Sequence, residues 1–183
     1  MRISVFFYNF APDFTRMKII GFISIEGTVE MVLKGDSCLL NNSKPFFVPD
    51  WTEDIRFTPC TILRVSRLGK GIAPKFAARY YDAIASGADF VAYDLLEAAR
   101  KQGTSWTPAL AFDYSLAIGK WTTEGDWSLP ADSIMTAEDA IARASSVMTI
   151  RQGDLIYIQH NVPSQRVQRE YIIAYNDLYC KIK

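Results

Sequence analysis

Arg67-Leu68-Gly69-Lys70-Gly71-Ile72-Ala73-Pro74-Lys75-Phe76-Ala77-Ala78-Arg79-Tyr80-Tyr81-Asp82 leads within a few residues into Gly87-Ala88-Asp89-Phe90-Val91-Ala92-Tyr93-Asp94-Leu95. This stretch decides the fold. Pro74 suits the first turn of a helix. Phe76, Ala77, Tyr80, Tyr81 and Ile84 then recur at helical spacing, and Gly87 stands where a helix would end. Residues 90–93 follow as a short strand. Asp94 suits the N-cap of a second helix over residues 95–102, stopped by Gly103. Just upstream, residues 61–66 form a β-branched strand, and Pro59 confines its first residues to an edge or entry position.

Outward from there, strand-like content fills residues 18–22 and 28–34, with Gly27 as the turn between them. Turns follow at Gly35-Asp36-Ser37 and at Asn41-Asn42-Ser43-Lys44-Pro45, and residues 46–51 are extended around two prolines. Residues 104–118 are irregular, with turn signals at Thr107-Pro108. Thr136 caps a helix that opens with Glu138 and Asp139, with Ile141, Ala144 and Met148 on one face. Gly153 turns into a strand over residues 155–158. The chain closes on a hairpin about Asn176-Asp177. Many short strands with a few short helices give a fold that is mostly β with peripheral helices. A doubly wound sheet is disfavoured, because no glycine-rich first turn and no regular strand–helix alternation occur.

Composition narrows the function. A hydrophobic fraction of 49% supplies a core and excludes disorder. Twenty basic and twenty acidic residues cancel, and no run of Lys and Arg makes a basic face, so neither nucleic acid nor a membrane is expected as partner. No apolar run reaches the roughly 18 residues of a membrane span. Cys38, Cys60 and Cys180 are three, widely spaced and outside metal-binding patterns, which suits reduced thiols in the cytoplasm. The apolar start of the chain is broken by Asn9 and lacks a small-residue cleavage site. Residues 17–183 read as a single domain, with 1–16 as an extension outside the core.

The Arg67–Lys70, Phe76–Asp82 and Gly87–Leu95 segments, in this order and spacing, together resemble the fumarylacetoacetate hydrolase family. The branch is the short bacterial one of 2-keto-4-pentenoate hydratase and 5-oxopent-3-ene-dicarboxylate isomerase-like proteins. Lys34-Gly35-Asp36-Ser37-Cys38-Leu39-Leu40 is similar to the family's Lys-Pro-Asp-Ser-x-Leu segment. Ala111-Phe112-Asp113 with Ile118-Gly119, and Gly153-Asp154-Leu155-Ile156, are similar to two further segments. The resemblance runs from about Met17 to the C-terminus. It implies a mixed β-sandwich roll of the fumarylacetoacetate hydrolase C-terminal-domain type, usually dimeric. It also implies a divalent cation that holds a 2-keto acid or β-diketone through adjacent oxygens, and C–C hydrolysis, decarboxylation, isomerisation or hydration at that cation.

Position by position, most of that equipment has been replaced. The family's Glu-x-Glu metal motif falls on Thr58-Pro59-Cys60, and a thiol is a poor ligand for Mg²⁺. The third metal ligand is present as Asp89. Within that motif the arginine has become Tyr93 and the substrate-binding glutamine Leu96. The lysine ahead of Phe112-Asp113 is Leu110. The Thr-Gly-Thr-Pro turn that holds a carboxylate has become Ile158-Gln159-His160-Asn161, and the Asn-Tyr-x-x-His segment has no counterpart. The resemblance therefore implies a degenerate member with no catalytic residue and Asp89 as a remnant metal ligand. Lys34, His160 and Asn161 are the candidates for a substrate pocket. On the bland side, Asp89 is a turn or hydrogen-bonding residue, His160 satisfies a backbone group, Cys60 is a small hydrophobe, and Lys34 is a surface charge or a structural ion pair.

No cofactor is expected on this reading. The expected partners are a second copy of the chain, or an active relative in a mixed dimer, and a small anionic ligand. The alternative is an enzyme acting on 2-keto acids or acylpyruvates as a hydrolase, isomerase or decarboxylase. It would hold Mg²⁺, Mn²⁺ or Ca²⁺ through a rearranged set drawn from Asp36, Asp50, Glu53 or Asp54.

Overall fold

In the computed structural model, which describes residues 17–41, 44–125 and 128–183, the first two strands form a hairpin. β1 (Ile19–Ile25) and β2 (Thr28–Lys34) pair in antiparallel register from Ile19 opposite Lys34 to Ile25 opposite Thr28. Glu26 and Gly27 both take positive φ, 50° and 80°, which a two-residue turn matched to strand twist requires. The extension 1–16 lies outside the described residues.

The centre of the molecule is a pair of long strands, β4 (Ile55–Val65) and β5 (Tyr81–Ala92), antiparallel over nearly their whole length. Here the structure departs from the sequence expectation. Only Pro74–Arg79 is helical, as a short 3-10 turn, and Tyr81 onward is strand rather than helix. Tyr81, Ala83 and Ala85 are buried while Asp82, Ile84 and Ser86 are less so, a period of two that the helical spacing masked. Gly87 stops nothing. It sits mid-strand because a Cβ there would press on the side chains of Ile62 and Cys60 and on the Ala117 carbonyl.

Pro59 also sits mid-strand, not at an entry. Its carbonyl accepts from the His160 N–H, so its ring nitrogen faces the same side. On that side β7 (Leu155–Gln159) ends opposite Cys60, and β8 (Gln165–Arg166) begins opposite Phe57. Proline's missing donor therefore falls in a gap between partners.

Seven strands follow the order β2-β1-β7-β4-β5-β6-β3, with β8 added alongside β4; β3 is Leu39–Leu40 and β6 is Leu116–Ile118. β1 runs parallel to β7 and β3 parallel to β6, so the sheet is mixed. A separate hairpin joins β9 (Ile172–Tyr175) to β10 (Leu178–Lys181) as expected. α1 (Tyr93–Gln102) ends at Gly103 in the left-handed region. Asp94 lies inside its first turn rather than at the N-cap, and its carboxylate accepts from the Thr52 hydroxyl and the Glu53 N–H. The stretch 104–118 is not irregular throughout: it holds α2 (Thr107–Leu110) as well as β6. In α3 (Ala137–Val147), Thr136 caps the N-terminus by accepting from the Asp139 N–H.

Alternation along the strands sorts the core. Phe22, Leu63, Ile156 and Ile158 pack under α3 with Ile141 and Ala144. Ile19, Cys60, Ile62, Val91 and Tyr157 face the other way, with Leu96 and Leu110 from α1 and α2. Across the flat width of such a sheet β2 and β5 would lie about 19 Å apart, four spacings of about 4.8 Å. Yet Lys34 at the end of β2 touches Asp89 in β5. The sheet is therefore curled into a roll, and its interior is the Cys60–Tyr157 side.

Candidate functional site: a closed ion pair inside the roll

The interior of the roll carries one buried charge pair. Lys34 Nζ donates to Asp89 Oδ1 at 2.7 Å, and both side chains are 1% exposed. The other two protons of the ammonium are taken by Ser115, through its carbonyl at 3.1 Å and its Oγ at 3.0 Å. The second carboxylate oxygen of Asp89 accepts from Gln159 Nε2 at 2.8 Å. Gln159 in turn accepts the Ser24 N–H on its Oε1 at 3.0 Å. Every donor of the lysine and both oxygens of the aspartate are thus engaged by protein groups, the condition for holding a charge pair away from water.

The positions matched to the Glu-x-Glu motif converge on this pair. Thr58 is directly opposite Asp89 in the strand register, and Cys60 is two residues along on the same face. Burial, and then the nearby Asp89 charge, push the Cys60 thiol well above its usual range, so it is held as a neutral S–H. Tyr157 projects into the same interior with its ring 5.6 Å from Lys34 Nζ. Its hydroxyl makes no hydrogen bond of ordinary geometry among the described residues. Burial and the Asp89 charge keep that phenol protonated far above its normal titration. Gly21 makes room for it, since a Cβ there would overlap the tyrosine ring.

These residues do not fit a hard divalent cation. Mg²⁺ demands near-octahedral oxygen ligands at about 2.0–2.1 Å. Here one carboxylate faces an ammonium, a thiol and a threonine, and the charge already sums to zero. Among the described residues no group of three or more His, Cys, Asp or Glu is gathered to hold a metal. Of the substitutes the alternative draws on, Asp36 accepts the Ser37 N–H, Asp54 is bonded to Arg56, and Asp50 is fully exposed with Arg169 at 3.8 Å; none of them, nor Glu53, joins Asp89 in such a group among the described residues. Leu96 and Leu110 are buried in the cluster that holds Cys60 and Tyr157, and they fill the interior beside the pair.

The three substrate-pocket candidates part company. Lys34 belongs to the ion pair. His160 follows Gln159 and so points to the opposite face of its strand. There its Nε2 lies 3.0 Å from Thr61 Oγ1 and its Nδ1 3.5 Å from the Tyr175 hydroxyl, with Asp132 at 4.0 Å. Burial lowers its pKa, a loss only partly offset by Asp132, so the ring is neutral at pH 7. Asn161 is exposed, and its backbone N–H bonds the Asp132 carbonyl. Gln159, Ser115 and Tyr157 were not singled out by sequence reasoning. The signal for Gln159 and Tyr157 was present, because in a strand they share a face with each other and not with His160.

Compared by sequence, the chain matches no protein-family model and no curated protein. Compared by structure, it matches fumarylpyruvate hydrolase from Pseudomonas aeruginosa in complex with Mn²⁺ and pyruvate, with a TM-score of 0.78 and 16% identity over 91% of this chain and 88% of that one. It also matches 2-hydroxyhepta-2,4-diene-1,7-dioate isomerase from Mycobacterium marinum, with a TM-score of 0.74 and 19% identity over 92% of this chain and 74% of the other. A third match is 5-carboxymethyl-2-hydroxymuconate delta-isomerase from Mycobacterium smegmatis, at 0.72 and 17% over 92% and 78%. The chain has the fold of the fumarylacetoacetate hydrolase family, as its sequence resemblance implied, and that fold is mostly β with peripheral helices.

Proposed function

We propose that this chain is a degenerate fumarylacetoacetate hydrolase-family member that keeps the fold without divalent-metal chemistry and serves as a binding subunit, paired with a second copy of itself or with an active relative. One observation carries the reading: the Lys34 ammonium occupies Asp89, the sole carboxylate left of the ligand set, in an interior closed to solvent. A divalent cation would have to evict a fully bonded lysine and would gain one carboxylate. Substitution at five family positions, namely Thr58, Cys60, Tyr93, Leu96 and Leu110, supports the same reading. The competing reading, a metal-dependent hydrolase, isomerase or decarboxylase of 2-keto acids, draws on the convergence of Thr58, Cys60 and Asp89 at one point.

A titration with Mg²⁺, Mn²⁺ and Ca²⁺, followed by thermal unfolding and calorimetry, separates them. Binding with a micromolar Kd would stabilise the protein by about 3–4 kcal/mol at free-ion concentrations about a hundred to a thousand times the Kd. The expected outcome is no shift with any of the three ions. A saturable shift together with turnover of oxaloacetate or an acylpyruvate would overturn the proposal. Sedimentation of the protein alone, then with an active family member, tests the binding role; a monomer in both conditions counts against it.

A further inference from the structure

Four cations without a carboxylate partner among the described residues lie in the loop between β4 and β5. The Ser66 N–H donates to the Tyr80 carbonyl at 2.9 Å and closes residues 66–80 into a compact excursion. Gly69 exchanges backbone bonds with Ile150. Gly71 N–H donates to the Ser145 carbonyl, Ile72 N–H to Ser145 Oγ, and Lys70 Nζ to the Ser146 carbonyl at 3.0 Å. The excursion is thus fastened to the C-terminal end of α3, with Ile72 and Ala77 turned inward. What remains outside is Arg67, Leu68, Lys70, Lys75, Phe76 and Arg79.

No Asp or Glu occurs from residue 55 to residue 81. Arg67, Lys70, Lys75 and Arg79 form no ion pair among the described residues. The carboxylates at the foot of the loop are already used, Asp82 by Arg64 at 2.7 Å and Asp154 by Lys18. Asp139 bonds Thr136 at the far end of α3 from the staple, and Glu138 beside it lies near Tyr81, where the loop rejoins β5. Among these cations project Leu68 and Phe76, 68% and 41% exposed, and Val147 beside the staple is 60% exposed. No basic face is visible in the sequence because these cations are spaced three to five residues apart and are never consecutive. Closure of the loop brings Lys75 and Arg79 onto Phe76 and Arg67 onto the neighbouring Tyr80.

We infer that this loop is a docking site for an anionic phospholipid surface, with Leu68 and Phe76 entering the headgroup layer and Arg67, Lys75 and Arg79 meeting lipid phosphates. Cations ringing protruding apolar side chains are what an interfacial site needs: charge for attraction, apolar area for retention. Leu68 would gain nothing from a phosphodiester backbone. Phe76 is no bare platform for a base either, since Lys75 Nζ lies 5.0 Å and the Arg79 guanidinium 5.2 Å from its centroid. With a net charge of zero on the whole chain, the attraction is local to this loop.

Co-sedimentation with vesicles of phosphatidylcholine alone, and of phosphatidylcholine mixed with phosphatidylglycerol, tests the inference. The full chain is expected to pellet with the mixed vesicles and not with the neutral ones. Raising salt from about 0.1 M to about 1 M, which shortens the Debye length from about 10 Å to about 3 Å, should release it. Lys75→Glu and Arg79→Glu should each weaken binding at least about fivefold, the weight of one interfacial cation. Leu68→Ser with Phe76→Ser, both at exposed positions, should abolish retention while leaving the thermal midpoint unchanged. The inference is overturned by equal binding to neutral vesicles, by no binding to either, or by full retention in the Leu68/Phe76 double variant. Retention on single-stranded RNA without vesicle binding would likewise overturn it and identify a different polyanion.

Discussion

An ammonium and a carboxylate taken out of water together are held at a large desolvation cost, which their attraction and hydrogen bonds offset only while both are present. Lys34 and Asp89 meet that condition through Ser115 and Gln159. Lys34→Met should therefore lower stability by about 3–5 kcal/mol, because it strands a buried carboxylate, and Asp89→Leu should do the same to the lysine. The double variant should recover much of the loss, leaving a strong coupling energy in a urea-denaturation double-mutant cycle; additive single effects would mean that the pair does not act as a unit. Both residues were legible in the sequence as remnants of family segments, but their pairing was not. They lie 55 positions apart on strands that meet only because the sheet curls. Nor does any local pattern mark Lys34 as buried, because every other residue of β2 is exposed or half-buried.

At the level of elements, local and tertiary preferences disagree in one place. Residues 76–84 carry a helical spacing, and the chain nonetheless becomes strand at Tyr81, since pairing with β4 over its length outweighs a weak local propensity. The hairpins, the Thr136-capped helix and the Gly103 stop were readable because each depends on side chains within a few residues of one another. Pro59 departs from its expected edge position for the opposite reason: its tolerance rests on a gap between β7 and β8 that only the assembled sheet contains. β1 offers a direct test of how tightly its elements fit. Gly21→Ala places a methyl group into the Tyr157 ring, and overpacking of this kind costs about 1–3 kcal/mol. Combining it with Tyr157→Leu should restore part of that loss in thermal unfolding, whereas an equal penalty with and without the ring would place the strain elsewhere.

For the molecule as a whole, His160 is a built-in reporter, being the single histidine of the chain. Its folded pKa lies below the ordinary 6.5, chiefly through burial. The unfolded chain therefore takes up a proton first as pH falls. Stability should be level above about pH 7, decline as pH drops through 6.5 toward the folded pKa, and level off below it. Carboxylates held below their usual range by partners, such as Asp54 beside Arg56, lose their contribution only in more acidic solution. Urea denaturation from pH 7.5 to pH 5.5 should show the decline, and His160→Gln should flatten it; an unchanged slope in that variant would assign the protons to another group. The parallel pairing of β1 with β7 has a further consequence, in time rather than in energy. Residues 19–22 find their partners only at 155–158, so the first hairpin waits through most of synthesis for the strand beside it. With such non-local pairing the roll closes late and slowly, and until then the side chains that will line its interior, Lys34 among them, remain in water.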